Sequence, residues 1–93
     1  YCDCHNENDA AIIPDVGMFA SFDPVAIDVA SADACNKMPV ITNSVLGDQI
    51  KKHGHDSCDC FTKTTPETNW RECTEHAEKI GVGNQKYELI IMK

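Results

Sequence analysis

The sequence predicts an α/β fold: a small three-layer-type fragment of about three helices, with two short strands completing the sheet of a larger parent protein. Two observations predict it. A short apolar run over residues 16–20 leads straight into an aspartate–proline helix start, which is the first half of an α/β unit. The closing run KYELIIM is apolar on both faces, as strands inside a sheet are.

The elements follow in order. HNENDA, residues 5–10, is polar and turn-prone. In AIIPDVGMFAS, Pro14 removes a ladder donor, so a loop runs through Pro14 and Asp15 and the first strand begins at Val16. SFDPVAIDVASADACNKM carries the clearest signal. Asp23 suits the N-cap, and Pro24 suits the first helical position, where its missing N–H is no loss. Val25, Ile27, Val29, Ala30, Ala32, Ala34, Cys35 and Met38 recur at three- and four-residue steps, with Asp28 and Asp33 on another face. The spacing predicts a helix over about 24–37 that stops before Pro39.

A weaker helix is expected over about 44–53, capped by Asn43 or Ser44 and ended by Gly54, with Val45, Leu46 and Ile50 as its face. Gly47 inside it costs about 1 kcal/mol relative to alanine. Residues 55–65 show no period. A third helix is expected over about 67–80. Trp70, Cys73, Ala77 and Ile80 form its apolar stripe, Glu72, Glu75 and Glu78 face water, and Gly81 terminates it. KYELIIM then closes the chain as the second strand.

The net charge of −7, with a single arginine and seven lysines, argues against a nucleic-acid backbone or an anionic membrane as partner. No apolar run approaches the roughly 20 residues that span a bilayer. There is no charged-then-apolar leader and no Asn-x-Ser/Thr sequon, which favours a cytoplasmic protein. The start at Tyr1, with sulfur ligands immediately after it, reads as a cut: residues 1–93 are expected to be the C-terminal domain of a larger protein.

Six cysteines are many for this length. Cys2, Cys4 and His5 form one cluster; His53, His55, Asp56, Cys58 and Cys60 form another, and Cys-Asp-Cys occurs in both. Zinc or iron wants about four soft or borderline donors, which the thiolates and imidazoles of the two runs could supply. One residue between cysteines is tighter than the usual structural-zinc spacing of two to four. Asp3, Asp56 and Asp59 disfavour a thiolate beside them unless a cation compensates. In an oxidising compartment the same cysteines would instead read as disulfides. For Cys58 and Cys60, ligand, disulfide and idle thiol all stand open, whereas Cys35 and Cys73 fall on helical stripes and are expected in the core.

HGHD matches the start of an H-x-H metallo-hydrolase pattern, but Ser57 follows Asp56 where a histidine would be needed. The plainer role for histidine there is as the cation at a helix C-terminus. Asp15, beside a strand end, is the better functional carboxylate, since Asp23 is used as a cap. GVGN is a helix stop and not a phosphate loop. No nucleophile with a positioned base appears, so the residues name no reaction.

Cys2-Asp3-Cys4, Asp9, Ile12, Pro14-Asp15, Gly17, Ala20-Ser21, Asp23-Pro24-Val25-Ala26-Ile27-Asp28 and Asn36-Lys37 together resemble the C-terminal part of a family of uncharacterised iron–sulfur centre proteins, domain of unknown function 362. The tail WRECTEHAEKIGVGNQKYELI is similar to that family's closing helix, turn and strand. The resemblance implies a larger redox protein whose upstream part carries a ferredoxin-type cysteine run. The family offers no assigned reaction, and the second Cys-Asp-Cys departs from its pattern.

No ferredoxin-type run occurs in this chain, so these residues alone cannot carry such a cluster. The expectation is therefore a metal- or iron–sulfur-associated domain whose partner is the upstream part of the parent. Its candidate ligands are Cys2, Cys4, His5, Asp15, His53, His55, Cys58 and Cys60, and zinc, iron or a mostly upstream cluster is the cofactor. The alternative is a structural module that completes the parent fold, with cysteines inert or disulfide-bonded. That reading predicts a homodimer through the closing strand and a melting temperature indifferent to chelators.

Overall fold

The computed structural model describes residues 10–53 and 59–92, at residue 53 the backbone alone. Four helices are present: α1 (Pro24–Lys37), α2 (Val45–His53), α3 (Cys60–Thr64) and α4 (Trp70–Lys79). No strand occurs among the described residues, so the expected α/β fold is corrected to an all-helical arrangement. Residues 14–21 and 86–92 run without helix, turn or ladder. A sheet needs neighbours at about 4.8 Å exchanging N–H···O=C bonds, and a lone pair of strands is marginal in water. Here no backbone bond joins the two segments.

The first helix has the predicted bounds because its signals are local. Asp23 Oδ1 accepts from the backbone N–H of Val25 at 2.9 Å and of Ala26 at 3.0 Å, and Pro24 occupies the first turn. Val25, Ala26, Ala30 and Ala32 are buried. α1 and α4 pack together, with Ala32 of α1 bordering the same cleft as Trp70 and Thr74 of α4.

α2 packs on α3. Ser44, not Asn43, starts α2: its Oγ accepts from Gly47 N–H at 3.1 Å and donates to the Ile41 carbonyl. Leu46, 1% exposed, is the largest fully buried side chain. It lines a void of about 80 Å³ together with Ile13, Ile50 and Cys60. Gly47, expected as a weakness, is required by contact: a Cβ there would collide with the Thr42 carbonyl. The backbone N–H of Ile41 donates to the Ile12 carbonyl at 2.8 Å, tying the entering loop to the α1–α2 connection.

α3 lies where no period was legible, because five residues are too few to show one. Asp59 caps it through Phe61 N–H at 3.1 Å, and Thr64 Oγ1 donates to the Cys60 carbonyl at 2.7 Å. α4 begins at Trp70, three residues later than expected. Asn69 is its N-cap, accepting from Glu72 N–H at 3.3 Å.

α4 ends as predicted, in a Schellman turn. Val82 N–H donates to the Ala77 carbonyl and Gly81 N–H to that of Glu78, with Gly81 at φ 86°. Its packed side differs from the expected stripe: Thr74 is buried, Cys73 is exposed, and Ile80 is 62% exposed. A helix of ten residues buries a narrow face, and here the buried residue of that face is Thr74. Cys73 is therefore not a core residue, and Cys35 is half-buried.

Candidate functional site: an uncovered apolar face

The returning chain after α4 is fastened to the helices by polar bonds over residues 84–87. Asn84 N–H donates to Asp23 Oδ2 at 2.9 Å, and Gln85 N–H donates to Glu78 Oε2 at 2.6 Å. Thr74 Oγ1 donates to Gln85 Oε1 at 3.1 Å, and the Tyr87 hydroxyl donates to Asp33 Oδ2 at 2.7 Å. The bond to Asp33 pushes the Tyr87 phenol above its ordinary value. The Asp23 carboxyl is held below the usual carboxylate range by the N–H groups of Ala26 and Asn84.

Beyond Tyr87 these links stop. Residues 88–92 make no hydrogen bond to a described residue. Leu89, Ile90, Ile91 and Met92 are 54%, 71%, 75% and 88% exposed. The entering segment repeats this. Phe19, Ala20 and Ser21 line a crevice of about 80 Å³ against Ala26, Ala30, Tyr87 and Leu89, so the two non-helical segments border one side of α1 there. Their outer side chains stand in water, Met18 and Phe22 completely. Single exposed apolar residues are ordinary; six large ones on two neighbouring segments suit an interaction surface.

A second cluster joins α3 to α4. Asp59 Oδ2 accepts from Trp70 Nε1 at 2.7 Å and from Arg71 at 2.6 Å, and the Arg71 guanidinium lies 4.5 Å from the Trp70 ring centre. Burial pushes the Asp59 carboxyl up, but the donors Trp70, Arg71 and Phe61 outweigh it and hold it low. Sequence reasoning placed Asp59 only as a charge beside cysteine and missed this tie. An aspartate opening a Cys-Phe-Thr run is an N-cap pattern that could have revealed α3.

Of the eight expected metal ligands, only Asp15 and Cys60 have described side chains. Cys2, Cys4, His5, His55 and Cys58, and the side chain of His53, lie outside the described residues. Asp15 is exposed on the entering loop. Cys60 is 4% exposed, its N–H donating to Asn36 Oδ1 at 2.8 Å. Burial, then the proximity of Cys35 and Asp59, push its thiol up to about 11, which favours a protonated packing group over a thiolate.

Among the described residues no three His, Cys, Asp or Glu side chains converge as a metal site would need. Cys35 and Cys73 border an apolar cleft of about 260 Å³ with Phe61 and Trp70. No helix among the described residues is long and apolar enough to cross a membrane. Comparison with protein-family models, with curated proteins and with solved structures finds no match. The resemblance to the iron–sulfur centre family therefore rests on the residues quoted for it.

Proposed function

We propose that this chain is a docking module: a helical scaffold that presents two non-helical apolar segments, residues 16–22 and 86–92, for burial against a partner surface. One observation carries the reading: Met18, Phe22 and Leu89 to Met92 stand in water, on two segments that line one crevice beside α1. At about 150–250 Å² for a large side chain, together they leave on the order of 1,000 Å² of apolar surface uncovered. The described cysteines, Cys35, Cys60 and Cys73, are free thiols, in keeping with the cytoplasmic location expected from composition.

Hydrogen exchange on the dilute monomer tests this reading, together with an environment-sensitive apolar dye. Residues 88–92 are expected to exchange at free-chain rates and the dye to bind. Ile90→Lys with Ile91→Lys should remove the dye signal while shifting the melting temperature little, because neither side chain is packed. Strong protection of 88–92 in the monomer, with no dye bound, would overturn it.

A second reading, a metal-associated redox domain, is favoured by the repetition of Cys-Asp-Cys. The described residues do not fit a metal centre, since Cys60 is buried and no three His, Cys, Asp or Glu side chains among them converge. That reading falls to Cys2, Cys4, His5, His55 and Cys58. Iron and zinc content after anaerobic purification, compared with that of Cys2→Ser with Cys4→Ser, tests it; equal content ends it.

A further inference from the structure

We infer that the occupant of this apolar face is a second copy of the chain, the two 86–92 segments pairing antiparallel about a two-fold axis with residues 16–22 flanking them. The inference rests on the docking reading above and names its partner. Three observations select a second copy.

The first is backbone chemistry. Residues 88–92 lie in no helix or turn, and their N–H and C=O groups bond no described residue, so they leave a row of backbone groups open to pairing. The run Glu88-Leu89-Ile90-Ile91-Met92 contains no proline or glycine and two adjacent β-branched residues, which suits strand pairing. An antiparallel pair about a two-fold axis lets one edge serve both partners, because alternate residue pairs exchange donor and acceptor reciprocally.

The second is area. The exposed side chains of the two segments offer on the order of 1,000 Å² per copy, and a standard interface takes about 800 Å² from each partner. The face is thus large enough for a stable dimer.

The third is charge. The chain carries a net −7, which sets two copies against each other over most of their surfaces. Residues 16–22 carry no charge at all, and 87–92 carry only Glu88. A like-charged copy meets little repulsion at this face and most of it elsewhere, so self-association is directed here.

The test is sedimentation velocity on the full chain across about 1–200 μM under reducing conditions, which removes disulfide links through the exposed Cys73. A concentration-dependent dimer with a dissociation constant of about 1–100 μM is expected. Protection of the 86–92 amides should rise in step with dimer. Ile90→Pro, which removes a pairing N–H, and Met18→Lys, on the flanking segment, should each weaken the dimer about tenfold or more while far-ultraviolet circular dichroism stays helical.

A dimer that survives both substitutions at full strength places the contact elsewhere and overturns the inference. A monomer at about 200 μM that still binds the apolar dye also overturns it, leaving the docking reading with a different partner. A monomer that binds no dye overturns both.

Discussion

Asp23 and Asp59 hold the same local post at two helix starts, yet the rest of the molecule uses them differently. Asp23 caps 14 residues and spends its second oxygen on one backbone N–H, that of Asn84. Asp59 caps five residues and spends its second oxygen on two side chains of the next helix, Trp70 and Arg71. α1 has length and a buried face, so its cap adds to a helix that packing already favours. α3 is a single short turn that would not persist alone, and its cap is also its anchor to α4. The same residue in the same local role therefore carries more of the fold where the helix has less of its own.

This contrast can be tested by substitution. Asp59→Ala removes a cap and leaves Trp70 Nε1 without its acceptor, and is expected to lower stability by about 2–3 kcal/mol in denaturant titration. Trp70→Phe keeps most of the apolar area and loses one bond to a carboxylate, for about 1.5 kcal/mol; a loss equal to that of Asp59→Ala would put the anchor on the indole alone. Asp23→Ala should lower the melting temperature by only roughly 4 °C and speed amide exchange at Val25, Ala26 and Asn84. If it instead unfolds the protein, the ranking is reversed.

Acid provides a fourth check. Both carboxyls lie below the ordinary value of 3.8 in the folded state, so they bind protons more weakly there than when unfolded. Their contribution is complete above about pH 4–5 and lost as pH falls through the lower folded values. Asp59→Asn should flatten that acid limb, read from melting temperatures between about pH 2 and 5. The smallest effect is expected from Arg71→Gln, about 0.5 kcal/mol, because the guanidinium is half-exposed and its pair is solvent-screened.

What was legible follows the range of the forces involved. The bounds of α1 were readable because Asp23, Pro24 and Pro39 act within a turn of their own positions. The start of α2 was readable to within Asn43 or Ser44, and the Gly81 stop of α4 outright, for the same reason. The α/β class was not. KYELIIM and residues 16–20 have strand composition, but a strand is completed by neighbours, and among the described residues no ladder forms between them. Cys73 was misplaced because spacing gives a helix face without saying how wide a face the neighbour covers. Of the candidate site, the apolar segments were visible as runs, and their exposure was not.

By itself the sequence determined the capped helices, the acidic surface and the two apolar runs, since each depends on residues a few positions apart. Only the tertiary structure decided that α3 exists, that Gly47 is needed by the Thr42 carbonyl, and that both apolar runs share one side of α1. Those outcomes depend on contacts between residues far apart in the chain. Local propensity does not encode such distances; packing and bonds such as those from Tyr87 to Asp33 and from Asn84 to Asp23 do.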